Sequence, residues 1–331
     1  MQCLADRAAS PAKAACAGET VGLLAARALF AELACFPKPG LVSFRDRGSN
    51  RDMDAALFLR SILALRPYFA SLARAGYLGE PFEVLRRIGV DAEEAMLAAT
   101  GGVNTHRGAI FSLGLLAAGA GRIGSTGRRL TAPMLPEAIL ETWGEGIAAH
   151  TPPCESHGTR ARVRFGAPGA RGEAARGFPS LFRAGYPALE DAVGGGCDFN
   201  RAMTQAFFAV LAALDDTNLL HRGGREGLIF ARECARRFLS AGGVFAPAWR
   251  VRAGDIHTRF VGRGLNPGGA GDMLACAAFV HFVAGPSASS PTKEFFAMEG
   301  TEITEVHGGR GLSKKRLVPL CGTGRTAWAS R

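Results

Sequence analysis

The chain has 331 residues, of which 47% are apolar, and its formal net charge is +10 at pH 7. This length suits one large domain or two ordinary ones, and the apolar content can fill a substantial core. No uninterrupted apolar run approaches the roughly 18 residues that cross a bilayer, and the N-terminus lacks the apolar core of a signal peptide. We therefore expect a soluble cytoplasmic protein that does not associate with membranes.

The cysteines and the charge pattern narrow the classes of function. The eight cysteines are scattered without a C-x-x-C pair, so neither a zinc site nor a disulfide framework is expected. Basic residues are spread along the chain, and only 8% of residues are aromatic. This distribution suits a polyphosphate substrate at least as well as nucleic acid. We expect an anionic small molecule, and no nucleic acid, as the partner.

Alanine, leucine and arginine dominate between glycine-rich joints, and alternating runs of strand length are almost absent, which predicts an all-α protein. The predicted helices are Thr20–Ala34, Met53–Ala73, Phe82–Arg87, Ala92–Ala99, Thr105–Ala120, Pro136–Ala148, Phe199–Asp215, Arg225–Ser240 and Gly271–Val283. The stretch 151–185 is rich in Gly, Pro and Arg and is predicted to be a long loop or lid. We expect an N-terminal extension (1–19), one helical catalytic domain (20–285), and a poorly ordered linker and basic tail (286–331).

The most informative motif is Thr100-Gly101-Gly102-Val103-Asn104-Thr105-His106-Arg107-Gly108, which an apolar run follows. Adjacent glycines allow positive φ and close approach, and the first N–H groups of the following helix lack partners. The motif predicts a phosphate cradle to which His106 and Arg107 add charge. A helix C-cap, a turn and an N-cap would also fit this pattern.

A second cluster begins at Lys38-Pro39-Gly40 and continues at Arg51-Asp52-Met53-Asp54. Lys38 is a candidate phosphate ligand, because its ammonium group acts as a point charge. Asp52 and Asp54 either hold Mg²⁺ or cap the helix that begins beside them.

A third cluster lies in the predicted loop and contains His157, Arg160, Arg171 and Glu173. Arginines among glycines can reach phosphate oxygens without steric obstruction, and His157 or Glu173 could accept a proton. Solvated loop charges would give a similar pattern.

A fourth cluster is Asp215-Asp216-Thr217-Asn218-Leu219-Leu220-His221-Arg222-Gly223-Gly224. At helical spacing Asp215, Asn218 and Arg222 share a face, so a helix end could present carboxylate, amide and cation together. Paired acids beside an amide suit a metal-bridged polyphosphate.

A fifth cluster, Asn266-Pro267-Gly268-Gly269-Ala270-Gly271-Asp272, is a second glycine-rich entry to an apolar helix. Its glycines would admit a phosphate, and Asp272 would act as a cap or as a metal ligand.

The sequence has no Walker loop, strand-linked G-x-G-x-x-G, G-x-S-x-G elbow or kinase signature. The residues alone indicate a helical enzyme that acts with Mg²⁺ on a phosphorylated, nucleotide-like substrate. A Mg²⁺-dependent hydrolase of nucleotide or ADP-ribose-type substrates is one alternative. A non-enzymatic, basic nucleic-acid-binding protein is the other, and it would account for the pI of about 9.6.

Read in order, these motifs resemble those of the triphosphoribosyl-dephospho-CoA synthase family between about residues 20 and 284. The matching segments are 38–42, 52–54, 100–111, 172–174, 216–224 and 267–272. The chain departs from the family pattern at Asn50, where a His is common, at Arg107, often a Lys, and within 266–272. The change at Asn50 puts any catalytic role of that position in doubt.

The resemblance implies a transferase in which the 2′-hydroxyl of 3′-dephospho-CoA displaces adenine from the ribose C1 of ATP. The product would pass to a carrier-protein transferase as the prosthetic-group precursor of malonate decarboxylase or citrate lyase. The segments Phe58–Ile62 and Tyr68-Phe69 resemble the malonate branch.

Under this interpretation each cluster has an expected role. The expected catalytic residues are His106, Glu173 and Asp216, with His106 or Glu173 taking the proton of the 2′-hydroxyl. The expected substrate-binding residues are Lys38, Gly101, Gly102, Asn104, Thr105, Arg107, His157, Arg171, Asn218, His221, Arg222, Gly268 and Gly269. The expected Mg²⁺ ligands are Asp54, Asp215, Asp216 and Asp272.

Overall fold

The computed structural model describes residues 10–150 and 164–285, and within these ranges it contains helices and no strand. The α-helices are α1 (Pro11–Ala34), α2 (Ala55–Leu78), α3 (Phe82–Thr100), α4 (Arg107–Gly124), α5 (Met134–Ala149), α6 (Gly169–Ala175), α7 (Tyr186–Gly194), α8 (Phe199–Ala213), α9 (Thr217–Ser240), α10 (Trp249–Gly262) and α11 (Gly268–Ala284). A π-helical turn, Leu181–Gly185, and a 3₁₀ turn, Gly243–Phe245, complete the set. The predicted all-α fold is confirmed.

Helices α4 and α11 form the centre of the fold. In both, residues on all sides of the helix are buried, as expected for a helix that other helices surround. Helix α11 packs against α1, α4, α7 and α8, while α2 packs against α1 and α4. Because α4 and α11 are both central, the loops that lead into them bring their N-termini close together.

Glycines let α2 approach its two neighbours closely. A β-carbon at Gly22 of α1 would lie 2.9 Å from the backbone nitrogen of Ala70, and one at Gly76 of α2 would overlap the Ala118 carbonyl of α4. Close-packed interiors cannot absorb such overlap without backbone movement. The small residues therefore set the spacing between α1, α2 and α4.

Several boundaries differ from the prediction. Helix α1 begins at Pro11, which occupies the first helical turn where a missing N–H costs nothing, so residues 11–19 continue this helix. The two short helices predicted between Phe82 and Ala99 are one helix, α3. Helix α9 continues from Thr217 through Gly224, whose φ of 61° and ψ of −161° mark a kink.

The prediction of a loop over 151–185 is wrong for its described part. Residues 169–185 form α6 and the π-helical turn, and they bury Ala174, Phe178 and Leu181 in the core. The apolar side chains outweigh the low helix propensity of the glycines. The residues from 151 to 163, including His157, and the predicted tail after 285 lie outside the described residues.

By length and composition, α1 and α2 could each cross a membrane, since each has an 18-residue window with mean hydropathy 1.3. Core helices of soluble proteins pass the same test, and 39% of each window is buried inside the protein. The expectation that the protein does not associate with membranes stays a prediction.

Candidate active site

The N-termini of α4 and α11 meet at Asp272. The Asp272 carboxylate accepts a hydrogen bond from the backbone N–H of Ala109, in the first turn of α4. It occupies the space that a β-carbon at Gly108 would fill, so only glycine permits the approach. Burial and the negative charges of Glu32 and Asp216 raise the pKa of Asp272 well above its usual range. We call Glu32, Asp216 and Asp272 the carboxylate cluster.

Asp216 caps two helices at once. Its Oδ1 accepts hydrogen bonds from the backbone N–H groups of Asn218 (2.9 Å) and Leu219 (3.0 Å), which begin α9. Its Oδ2 accepts from the N–H of Ala270 (2.8 Å), and Gly269 N–H also bonds the carboxylate at the start of α11. Burial raises the pKa of Asp216 to about 6, although these four backbone donors oppose the rise. Since a carboxylate offers about four lone-pair directions, the two caps occupy them.

Lys38 and Glu32 form a buried ion pair beside the other carboxylates. The Lys38 side chain is fully buried, and its Nζ lies 2.5 Å from Glu32 Oε1. Burial raises the pKa of Glu32, while the Lys38 charge acts in the opposite direction. A β-carbon at Gly271 would lie 3.3 Å from Glu32 Oε1, so the pair adjoins the first turn of α11.

His106 is the N-cap residue of α4, and only one of its two ring nitrogens has a hydrogen-bond partner among the described residues. Thr105 Oγ1 donates to Ser61 Oγ (2.8 Å), and Ser61 Oγ lies 2.7 Å from His106 Nδ1. Donor and acceptor in the Ser61–Nδ1 bond depend on the imidazole tautomer: a Ser61 hydroxyl that donates to Nδ1 would place the proton of the neutral ring on Nε2. His106 Nε2 is buried without a hydrogen-bond partner among the described residues. Burial and the nearby Lys38 charge lower the pKa of His106 to about 3.

A polar network joins the loop after α1 to the start of α11. Arg222 donates from Nη1 to Ser49 O (3.0 Å) and from Nη2 to Asn50 Oδ1 (3.1 Å). Asn266 Nδ2 donates to the same Asn50 Oδ1 at 2.7 Å. The Asn218 amide and Asn266 Oδ1 both lie near Gly268, where a β-carbon would collide with Asn218.

The glycines of the first motif lie at the end of α3. Gly101 and Gly102 have φ values of 65° and 88°, and Gly102 N–H bonds to Leu97 O at 2.8 Å. This is a C-capping geometry. Both glycines are exposed, with open space where a β-carbon would stand, so a ligand could approach the backbone here. Their predicted contact with phosphate stays a prediction.

The remaining residues of that motif also make local contacts. Asn104 Oδ1 accepts from the backbone N–H of Arg107 at 3.1 Å, which caps the start of α4. The half-exposed Arg107 pairs with Glu93 at 2.8 Å. Arg107 keeps further N–H groups with which to meet a phosphate.

Two predicted Mg²⁺ ligands, Asp54 and Asp215, make their contacts with residues outside the carboxylate cluster. Asp54 caps α2 through Leu57 N–H (2.9 Å) and pairs with Arg47 (3.2 Å). Asp215 pairs with Arg232 at 2.9 Å. Within residues 10–150 and 164–285, no group of three or more His, Cys, Asp or Glu side chains is arranged to hold a metal ion.

Glu173 makes contacts that stabilise the local fold. Its Oε2 accepts from Ser180 N (3.0 Å) and Ser180 Oγ (2.6 Å), and its Oε1 pairs with Arg176. These bonds join α6 to the turn that follows. Arg171 lies in α6, His221 is exposed on α9, and both make interactions with other groups. The catalytic role of Glu173 and the binding roles of Arg171 and His221 stay predictions.

Glu32, Ser61, Asn50 and Asn266 belong to this region although they were not among the predicted site residues. Glu32 could have been found as an acidic residue on the buried face of the apolar helix α1, because such a residue needs a partner. Asn50 and Asn266 were marked in the sequence, Asn50 as a departure from the family pattern and Asn266 as the first residue of the fifth cluster. Ser61 carried no comparable signal, since single hydroxyls are common throughout the sequence.

Comparison with known proteins identifies the family. The profile of CitG, described as ATP:dephospho-CoA triphosphoribosyl transferase, matches residues 18–290. A probable 2-(5″-triphosphoribosyl)-3′-dephosphocoenzyme-A synthase of Acinetobacter calcoaceticus is 38% identical over 261 residues, which cover 78% of this chain and 89% of the relative. No solved structure matches.

Two further relatives carry the same name. The synthase of Pectobacterium atrosepticum is 38% identical over 259 residues, covering 76% of this chain and 84% of the relative. The probable synthase of Azotobacter vinelandii is 42% identical over 266 residues, covering 78% and 89%. The family that the ordered motifs predicted is therefore confirmed. The chain belongs to the ATP:dephospho-CoA triphosphoribosyl transferase family.

Proposed function

We propose that this chain transfers the 5-triphosphoribosyl group of ATP to the 2′-hydroxyl of 3′-dephospho-CoA and releases adenine. The observation that carries the proposal is the convergence of the α4, α9 and α11 N-termini on Asp216 and Asp272, beside Lys38 and His106. Family membership supplies the substrates. The convergence supplies charged and polar groups on rigid helix ends, as transfer at a ribose carbon requires.

Lys38 and the arginines at the motif joints favour the triphosphate. Both side-chain types stabilise negative charge, and arginine offers several N–H donors. The first N–H groups of α9 and α11 are already bonded to Asp216, so the phosphates do not depend on them. Lys38 is already paired with Glu32, so a triphosphate here would share the ammonium group with that carboxylate. The Gly268-Gly269 backbone remains the segment through which we expect phosphates to approach α11.

His106 is suited to donate a hydrogen bond rather than to accept a proton. In the tautomer in which Ser61 donates to Nδ1, the Nε2–H of the neutral ring would meet an acceptor such as a nitrogen of the departing adenine. A donor at that position would stabilise negative charge as the glycosidic bond breaks. This role differs from the predicted role of His106 as the acceptor of the 2′-hydroxyl proton.

Mg²⁺ is expected to be bound to ATP when it enters the site. Mg²⁺ is often held by one or two carboxylates together with substrate phosphates. Asp272 fits this manner of binding, because burial and then the neighbouring carboxylates raise its pKa, and a cation would relieve the repulsion between the carboxylates. Asp216 fits direct coordination poorly, since four backbone donors already surround its carboxylate. When bound, Mg²⁺ would neutralise charge on the triphosphate.

Chromatography of a quenched reaction tests the proposal. Incubation of the purified protein with ATP, Mg²⁺ and 3′-dephospho-CoA should release free adenine in proportion to the consumption of both substrates. Release of ADP, AMP or pyrophosphate without any need for dephospho-CoA would point to the nucleotide hydrolase instead. Steeply salt-dependent binding to nucleic acid without adenine release would point to the nucleic-acid-binding alternative.

We further propose that the product serves malonate decarboxylase and passes to its carrier-protein transferase. The support is the resemblance of Phe58–Ile62 and Tyr68-Phe69 to that branch. Supplying the product to the malonate and citrate carrier proteins, each with its own transferase, tests the assignment. Modification of the citrate carrier alone would contradict it.

A further inference from the structure

Asn266 carries a buried acceptor without a partner beside the start of α11. Its side chain is 7% exposed, and its Oδ1 has no hydrogen-bond partner among the residues that the structure describes. A buried acceptor left unpaired destabilises the folded protein, because it has lost its hydrogen bonds to water without replacing them. An atom of this kind at the entry to a central helix therefore indicates a ligand group that completes it.

The hydrogen-bond network fixes which end of the Asn266 amide is unpaired. Asn50 Nδ2 donates to Arg47 O (3.2 Å), and Asn50 Oδ1 accepts from Arg222 (3.1 Å), so the Asn50 amide has one orientation. Asn50 therefore presents an oxygen to Asn266, which must answer with its Nδ2. Exchanging the N and O atoms of Asn266 would bring two acceptors to 2.7 Å. The outward-facing atom is thus Oδ1.

The position of this oxygen points it toward the glycine entry of α11. Asn266 Oδ1 would lie 3.4 Å from a β-carbon at Gly268, so it borders the first residue of α11. A phosphate oxygen would repel it, because both atoms are acceptors. The group that completes it must carry an N–H or O–H, and the base and sugar of a nucleotide offer such donors.

We infer that Asn266 Oδ1 accepts a hydrogen bond from an adenosine unit of the substrates, and that Asn50 and Arg222 act as positioning residues that hold it in this orientation. The inference rests on the proposed function, in which both substrates carry an adenosine. The neutral donors of that unit are the amine of the base and the ribose hydroxyls. Sites built to bond a substrate donor discriminate strongly against analogues that lack it.

Substrate analogues that each lack one donor test the inference. For ATP they are purine riboside triphosphate, 2′-deoxy-ATP and 3′-deoxy-ATP, and for dephospho-CoA they are the forms without the base amine or the 3′-hydroxyl. The wild-type protein should use the analogue that lacks the recognised donor about tenfold less efficiently in kcat/KM. In Asn266→Ala this preference should fall to roughly twofold or less, while the preferences over the other analogues persist.

The analogue whose preference collapses identifies the donor. Asn50→Leu should weaken the same preference, because it frees the Asn266 amide to rotate. Asn50→Asp should retain the preference, because it keeps the oxygen that orients both Asn266 and Arg222. Gln205→Ala, which removes an acceptor of Val244 N–H away from this network, is the matched control and should leave every preference unchanged.

Two failures can be told apart. A wild-type protein that releases no adenine from ATP and dephospho-CoA would overturn the proposed reaction. A wild-type protein that does so, together with an Asn266→Ala variant that keeps its preference over all five analogues, would overturn only the inference about Asn266.

Discussion

The Asp272 carboxylate lies where a side chain at Gly108 would begin, so the first turn of α4 and the first turn of α11 touch through one carboxylate. Gly108 comes directly after the polar part of the first motif, and Asp272 ends the last motif. Two segments predicted separately to bind phosphate are thus joined in the structure by a contact that requires a residue without a side chain.

Gly108→Ala should therefore damage the site. The added methyl group would displace Asp272 or separate the two helices, at a cost of about 1–3 kcal/mol in the free energy of unfolding. Gly89→Ala in α3 is the matched control, because nothing lies within 4 Å of its β-carbon position. The control should be neutral or stabilise the protein by about 0.5–1 kcal/mol. Urea denaturation of both variants checks this; equal stabilities would contradict the contact.

Asp216→Ala should destabilise the fold as well as reduce activity. The change removes caps from α9 and α11 together, and each helix cap contributes about 0.5–2 kcal/mol. Asp198→Ala removes a single cap from α8 and gives the scale for one cap. Thermal unfolding should show a larger loss for Asp216→Ala than for Asp198→Ala. An Asp216→Ala protein of wild-type stability that has lost all turnover would instead favour a purely catalytic role.

Breaking the Lys38–Glu32 pair should cost more than removing it whole. Lys38→Met leaves the Glu32 carboxylate buried without its partner, which typically costs about 3–5 kcal/mol. The double variant Lys38→Met/Glu32→Gln should recover most of that stability but still bind ATP weakly if Lys38 contacts the triphosphate. Calorimetric titration of the double variant with Mg·ATP measures this, and wild-type affinity would remove Lys38 from the binding site.

The exposed pair of Arg66 and Glu19 supplies the control for this comparison. Their side chains lie 3.4 Å apart in solvent. Arg66→Met should therefore change the stability by less than about 1 kcal/mol.

His106 should make the stability depend on pH. Its pKa is lowered to about 3 in the folded protein, against 6.5 for the free side chain, so the unfolded chain takes up the proton first as the pH falls. The neutral, buried His106 therefore contributes to the free energy of unfolding. This contribution is fully present above pH 6.5 and is lost as the pH falls toward about 3. Between pH 7 and pH 5 it should decrease by about 2 kcal/mol.

Urea midpoints at pH 7, 6 and 5, compared between the wild type and His106→Gln, isolate this contribution. The raised pKa of Asp216, about 6, acts in the opposite direction, because the folded protein binds that proton first and gains stability as the pH falls. Both proteins contain Asp216, so its effect cancels in the difference. Parallel pH profiles for the two proteins would mean that His106 is not held neutral by burial.

The helices were predictable where apolar periodicity was strong, as in Phe199–Ala213, which begins at the predicted residue and ends two residues earlier than predicted. Helix α10 was missed because its exposed face carries charged residues and because its sequence contains several β-branched residues, which have lower helix propensity. Yet its buried residues Trp249, Ala253, Ile256 and Phe260 follow helical spacing. Helix α6 was missed because its glycines and arginines resemble a loop. Its end is set by Gly177, whose φ is 71°, and by the bond from Phe178 N–H to Glu173 O.

The site was predictable in its segments but not in its pairings. Asp216, Asp272, Lys38 and His106 were all identified, because charged residues beside glycines at helix ends are unusual. The sequence could not reveal that backbone donors from two helices surround Asp216, or that Glu32 pairs with Lys38, since these contacts depend on packing between segments far apart in the chain. Asp215 and Asp216 are adjacent in the sequence but have different partners. Asp215 pairs with Arg232, whereas Asp216 caps α9 and α11.

The double cap at Asp216 has a consequence for cooperativity. One carboxylate closes the ends of two helices whose bonded residues, Asp216 and Ala270, are 54 positions apart. Local opening at the start of α9 would displace Asp216 and leave α11 without this cap, so the amide proton of Ala270 should exchange with solvent deuterium at least as fast as that of Leu219. The start of α11, and the site with it, is therefore only as stable as the start of α9.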